Sequence, residues 1–282
     1  MTENAFARTY GVELLYPQKP SIDKLRLLEA VQRHCAGAKL LDPNPSSGLL
    51  GLVHADHPVQ LADGAVPAQT FIAVADKPLR PELLEPVLQQ TWEFPEARGA
   101  VTAAAWSVLV TDMMSSALPY KERLSLFESC LRGVLDAAPC SAIHWRESGR
   151  IVDPEAWQRD FDSGDAAERF FAGAVNVRLF KMQDGASDDV MLMDTLGLGA
   201  LGLPDLQCHF HGFDPGQVAR VLYNTAWYVF EQGPVLEDGH TLDGVGRGSK
   251  FRCQHELSLA RPERMVIDLD PGPAHAAGKR AT

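Results

Sequence analysis

The run Tyr10-Gly11-Val12-Glu13-Leu14-Leu15-Tyr16 reads as a first β-strand, and the pattern that follows it decides the fold class. Ser21 is placed to cap a helix whose Ile22, Leu25, Leu28 and Val31 recur at helical spacing. The Pro- and Ser-rich Asp42-Pro-Asn-Pro-Ser-Ser-Gly48 is then a loop. Residues 49–54 and 70–75 read as a strand pair, a helix from Pro81 aligns Leu84, Val87, Leu88 and Trp92, and 106–110 is an apolar strand. This β-α-β-β-α-β order is the signature of a ferredoxin-like unit.

Further along, Pro119 opens a helix with an apolar stripe of Leu124, Phe127, Leu131, Val134 and Leu135, opposite Lys121, Ser125, Glu128 and Arg132, which predicts a surface helix. The segment 141–145 is a strand, and the acidic stretch 153–168 is the expected boundary between units. Beyond it, 174–181 alternates Val175, Val177 and Leu179 with Asn176 and Arg178, and 190–193 follows the turn Asp184-Gly-Ala-Ser187, so an antiparallel hairpin is expected. Asp214, Pro215, Gln217 and Gly233 mark both ends of a long helix. Its Val218, Val221, Leu222, Trp227, Val229 and Phe230 spread widely enough to predict burial on more than one side. Strands at 251–258 and 265–269 complete the pattern. The expected organisation is α+β: a ferredoxin-like unit over 1–160, a second α+β unit with mostly antiparallel strands over 161–270, and a flexible tail over 271–282.

Composition narrows the function classes. Of 282 residues, 45% are hydrophobic and 22% charged, as in ordinary globular chains, so a disordered or fibrous polymer is excluded. Thirty-seven acidic residues against 26 Lys and Arg give a formal charge of -11, a field that repels phosphate backbones and argues against nucleic acid. No apolar run approaches the roughly 20 residues of a membrane span, and no basic n-region precedes an apolar segment at the start, so a cytoplasmic protein without membrane contact is expected. The five cysteines are odd in number and widely spaced, which suits reduced buried thiols.

Several motifs fail on context. Gly197-Leu-Gly199-Ala-Leu-Gly202 matches G-x-G-x-x-G, but Leu203-Pro204-Asp205 leads into a strand rather than a pyrophosphate-binding helix. In Gly244-Val-Gly246-Arg-Gly248-Ser249-Lys250 the Ser precedes the Lys, the reverse of a phosphate loop, and a strand follows. Cys208-His209-Phe210-His211 and Cys253-Gln-His255 offer zinc-type ligands, but strand alternation puts Cys208 with Leu206 and Phe210, and His209 and His211 with Gln207. No metal and no cofactor is expected. Gly197, Gly199 and Gly202 permit positive φ or close backbone approach and Pro204 stiffens the exit, while Asp194 and Asp205 bracket the loop and are placed to accept from its amides.

The run from Asp194-Thr195 through Gly202-Leu-Pro204-Asp205 to Phe210, then Tyr223-Asn-Thr-Ala226, Asp238-Gly-His-Thr241 and Arg261-Pro-Glu-Arg264, resembles the bacterial domain of unknown function 4261 over roughly 190–269. That resemblance implies membership of a family with no established catalytic residues to carry across. A looser likeness links Thr195-Leu-Gly-Leu198 and Gly202-Leu-Pro-Asp-Leu206 to small α+β domains of bacterial toxin-immunity and accessory proteins. The expected role is therefore a protein-binding module of immunity or accessory type, with a basic protein as the partner its acidity favours. The alternative is an enzyme, for instance a hydrolase, with a polar centre at Asp194, Asp205, His209 and His211. The sequence leaves the oligomeric state open.

Overall fold

In the computed structural model, which describes residues 9–42, 49–61, 64–182 and 189–278, the chain is α+β. It separates into two compact units that divide between Ala174 and Val175. The turn read at 184–187 lies outside the described residues, as does all but Asp42 of the loop read at 42–48.

The first unit runs β1 (Gly11–Tyr16), α1 (Lys24–Gln32), β2 (Ala38–Leu40), β3 (Leu49–Leu61), β4 (Gly64–Val74), a 3-10 turn (Pro81–Leu84), α2 (Glu85–Leu88), α3 (Ala97–Ala103), β5 (Trp106–Met113), α4 (Tyr120–Ala137), β6 (Ala142–Trp145), β7 (Arg150–Val152), α5 (Pro154–Ser163) and α6 (Ala166–Arg169), ending in a π-helical turn (Phe170–Ala174). Its seven strands form one sheet in the order β2-β3-β4-β5-β1-β6-β7, every pairing antiparallel. This is not the expected ferredoxin-like arrangement. β5 is inserted between β4 and β1, so the strands run β3-β4-β5-β1 instead of interleaving two βαβ halves.

β1 sits near the middle of the sheet and is buried on both faces. Tyr10, just before it, meets Phe127 of α4 edge-on at 5.1 Å. Leu15, of opposite parity, packs instead with Val101 of α3 and with Ala142 and Ile151. Helices therefore cover both faces. Each of Val12, Leu14 and Leu15 is fully enclosed, a burial that contributes about 1.5–3 kcal/mol per side chain.

Local chemistry explains where the helices depart from their expected limits. α1 is capped by Asp23, whose carboxylate accepts from the Arg26 N–H at 2.8 Å, and not by Ser21; its buried residues are Leu27, Ala30 and Val31, leaving Leu25 exposed. The helix expected from Pro81 is broken because Pro86 has no N–H to continue it and instead sits in the first turn of α2. Trp92 consequently lies outside any helix and is exposed. α4 buries its expected stripe but also Arg123 and Glu128, so it is more deeply enclosed than a surface helix. Its Gly133 lies against α1, where a Cβ would stand 2.4 Å from the Val31 Cα. The acidic stretch 153–168 is helical, with Asp153 and Asp165 as N-caps, so the boundary expected near residue 160 falls inside α5.

The second unit contains β8 (Asn176–Lys181), β9 (Met191–Leu196), a 3-10 turn (Leu198–Leu201), β10 (Asp205–Phe210), α7 (Pro215–Gln232), β11 (Thr241–Asp243), β12 (Lys250–Leu257) and β13 (Met265–Asp270). The sheet order is β11-β12-β13-β10-β9-β8; β10 and β13 are parallel and the other pairs antiparallel, including the expected β8–β9 hairpin. α7 packs on β8, β9 and β10. Asp214 caps it by accepting from the Gln217 N–H, Pro215 opens it and Gly233 closes it at φ 83°. Its buried residues, Val218, Val221, Leu222, Thr225, Ala226, Val229 and Phe230, form one stripe, so burial is one-sided and not the several-sided burial expected. The tail expected to be loose is docked as far as it is described. His211 N–H donates to His275 O at 2.9 Å, Ala277 N–H donates to His209 O at 3.2 Å, and the His275 ring stacks on Phe213 at 3.8 Å.

Candidate functional site

The residues singled out in the sequence lie at the joint between β9 and β10. Gly197 at φ 128° and Gly202 at φ 81° flank the 3-10 turn, values that L side chains rarely adopt. Pro204 leads into β10, and Gly199 passes close to the Asp205 carboxylate. The Asp205 Oδ1 accepts from the Leu198 N–H and from Thr195 Oγ1, each at 3.1 Å; Thr195 Oγ1 in turn accepts from the Leu206 N–H at 2.8 Å. One carboxylate and one hydroxyl thus fasten both sides of the turn.

Two arginines complete the arrangement. Arg178, on β8 directly across from Asp194, binds it in bidentate fashion, Nε to Oδ1 at 2.9 Å and Nη2 to Oδ2 at 2.5 Å. Arg264 donates from Nε to Asp205 Oδ2 at 2.9 Å, and from Nη2 to Asp194 Oδ2 at 3.0 Å and Thr195 O at 2.7 Å. Arg178 Nη1 also reaches Arg261 O at 3.1 Å, and Arg264 Nη1 reaches Pro262 O at 2.8 Å. Two guanidinium groups therefore balance two carboxylates, and the segment 261–264 is tied to the β8–β9–β10 strands. Asp194 and Asp205 are 0% and 1% exposed. Burial raises the Asp205 carboxyl above its ordinary range, opposed by Arg264. Neither carboxylate can reach a substrate while Arg178 and Arg264 hold it, because a general acid or base must lie within hydrogen-bond reach of the reacting proton.

The two histidines are not part of this cluster. His209 shares a strand face with Asp205 and Gln207 but lies four residues along, about 13 Å away, and His211 lies beyond the strand end, about 20 Å away. His209 is buried and His211 half-buried. The alternation read in the sequence is present, yet every residue of β10 is buried, the polar face as well as the apolar one. Gln207 uses its side chain to bind Glu256 at 3.1 Å and the Leu259 N–H at 3.0 Å. His255 pairs with Asp238 at 2.8 Å. Among the described residues no group of three or more His, Cys, Asp or Glu side chains is placed to hold a metal ion. Arg178 and Arg264 were missed as members of the cluster: the alternation of 174–181 put Arg178 on the polar side of a hairpin, and Arg264 stood in the sequence only within the block Arg261-Pro-Glu-Arg264.

Residues 194–270 match the family model described as Domain of unknown function (DUF4261). The C-terminal part of the chain is similar to that family. The matched segment begins at Asp194 and includes Thr195, Asp205 and Arg264, so three of the four charged members of the network fall within it; Arg178 is supplied from before it. Neither the curated proteins nor the solved structures contain a match to the chain. Among the described residues no helix is long and apolar enough to cross a membrane.

The first unit carries a separate cleft of about 350 Å³ beside β7, α5 and α6. Trp157 and Phe171 contribute aromatic surface, and Glu93, Asp160 and Glu168 contribute carboxylates. The cation on its wall, Arg150, is already bound to Glu93 and to Phe171 O. Burial, followed by the nearby Glu168, pushes the Asp160 carboxyl up.

Proposed function

We propose that the chain is a protein-binding module of immunity or accessory type acting in the cytoplasm, with a basic protein as its partner and the acidic cleft of the first unit as the entry point for a cationic side chain. The observation that carries this reading is the charge imbalance of that cleft: Asp160 and Glu168 make no ion pair among the described residues, and Arg150 is committed to Glu93. A lysine or arginine entering there would meet unpaired carboxylates beside aromatic rings, a combination that favours cations. The net charge of -11 would steer such a partner from a distance. An enzyme centred on Asp194, Asp205, His209 and His211 would first have to release its carboxylates from Arg178 and Arg264.

The test is the association rate of a partner isolated from native cells, measured against salt. The rate should fall by about tenfold or more between low and physiological salt. It should also fall in the double variant Asp160→Lys, Glu168→Lys. Association that ignores both salt and the charge reversal would exclude the proposed site.

A further inference from the structure

We infer that a second cleft, between α7 and the β11–β12 hairpin of the second unit, is a binding site for a small organic oxyanion, a carboxylate or phosphate ester attached to a flat ring. This goes beyond the proposed protein-binding role and lies on the other unit. The cleft has a volume of about 370 Å³, within the span of roughly 300–1,000 Å³ found for small-molecule sites.

One wall is a single edge of α7. Gln217, Arg220, Asn224 and Tyr228 follow one another at spacings of three and four residues, which places them in line along the helix. Arg220 is exposed and makes no hydrogen bond or ion pair among the described residues. The side-chain amides of Gln217 and Asn224 flank it. Tyr228, 45% exposed, presents an aromatic ring at the far end.

The opposite wall is Leu242, Asp243 and the glycine-rich main chain that follows them. At Gly244 a Cβ would stand 2.4 Å from the Phe251 ring and 2.7 Å from Ser249 Oγ, so no side chain fits there. Gly246 and Gly248 adopt φ of 87° and 80°, again conformations suited to glycine. The hairpin closes through Gly244 N–H to Ser249 O and Ser249 N–H to Gly246 O, and the amides of Val245 and Gly246 make no backbone hydrogen bond among the described residues.

Electrostatics selects the ligand class. The carboxylate on the cleft wall, Asp243, is engaged in a surface ion pair with Lys250 at 2.5 Å, whereas Arg220 has no ion-pair partner among the described residues. A guanidinium beside amide donors matches the planar or tetrahedral oxygens of a carboxylate or phosphate, and Tyr228 with the apolar Val221 and Leu242 suits a ring.

The experiment titrates the full chain with two matched pairs of probes, benzoate with benzamide and adenosine monophosphate with adenosine, by calorimetry and by amide chemical shifts. At least one anion should saturate at millimolar concentration or below, shifting resonances of Arg220, Asn224 and Gly246, while its neutral counterpart binds about tenfold more weakly or worse. Arg220→Gln and Tyr228→Ala should each weaken that binding with the unfolding midpoint unchanged, because both side chains are at the surface; Arg220→Lys should retain part of it. The inference is overturned if neither anion saturates, if the neutral counterpart binds as well, or if Arg220→Gln or Tyr228→Ala binds as tightly as the natural chain.

Discussion

Asp205 and Arg264 lie 59 positions apart in the chain and meet through an Nε–Oδ2 hydrogen bond of 2.9 Å. Because Arg264 also reaches Asp194, two of the separated sequence blocks that carry the family likeness, the one from Asp194 to Phe210 and Arg261–Arg264, become parts of one ion network. A charged network with these distances and this burial fixes the β9–β10 turn against the segment before β13. Removing one member would leave a buried charge uncompensated, at a cost of about 3–5 kcal/mol.

The packing of α1 on α4 gives a prediction in which one substitution has opposite effects at two helical glycines. At Gly133 an added Cβ meets the Val31 backbone at 2.4 Å, so Gly133→Ala should destabilise by about 1–3 kcal/mol. At Gly99 in α3 it meets nothing within 4 Å, so Gly99→Ala should stabilise by about 0.5–1 kcal/mol. Urea unfolding of the two variants decides the matter.

Glu128 predicts a pH dependence. Its burial in α4 raises the carboxyl from 4.5 to about 7, although Arg169 opposes the rise. Between these values the unfolded chain has lost the proton that the folded chain keeps. The contribution is therefore fully present below about pH 4.5 and lost as pH rises through about 7, a change of order 1–3 kcal/mol. Unfolding free energies across that window should fall with pH in the natural chain relative to Glu128→Gln, which lacks the titration.

The tail gives a third. Truncation after Asp270 removes the backbone bonds from His211 and Ala277 and the stack of His275 on Phe213. The melting temperature should drop by several degrees, corresponding to about 1–3 kcal/mol. An unchanged melt would mean that these contacts contribute nothing.

What was legible in the sequence was local. Asp214, Pro215 and Gly233 delimit α7 because capping acts within a single turn. β1 was readable as a short, mostly apolar run, and the β8–β9 hairpin from the alternation of its first strand together with the turn residues that follow it. The placement of β5 between β4 and β1 was not, because antiparallel pairing of β1 with β5 joins segments about a hundred residues apart and leaves no periodic trace. The site was half legible for the same reason. Asp194, Thr195 and Asp205 stood out around a glycine-rich turn, whereas Arg178 and Arg264 enter through register and an irregular segment. His209 and His211 illustrate the converse: alternation groups them with Asp205, yet His209 lies four residues along the strand and His211 beyond its end.

The measurement that bears most directly on the structural role of the signature residues is a double-mutant cycle on Asp205→Asn and Arg264→Gln, read by urea unfolding. If the network holds the domain together, each single variant loses stability and the pair shows a coupling of about 0.5–3 kcal/mol. Single variants that unfold at the same midpoint as the natural chain, with no coupling between them, would contradict the account.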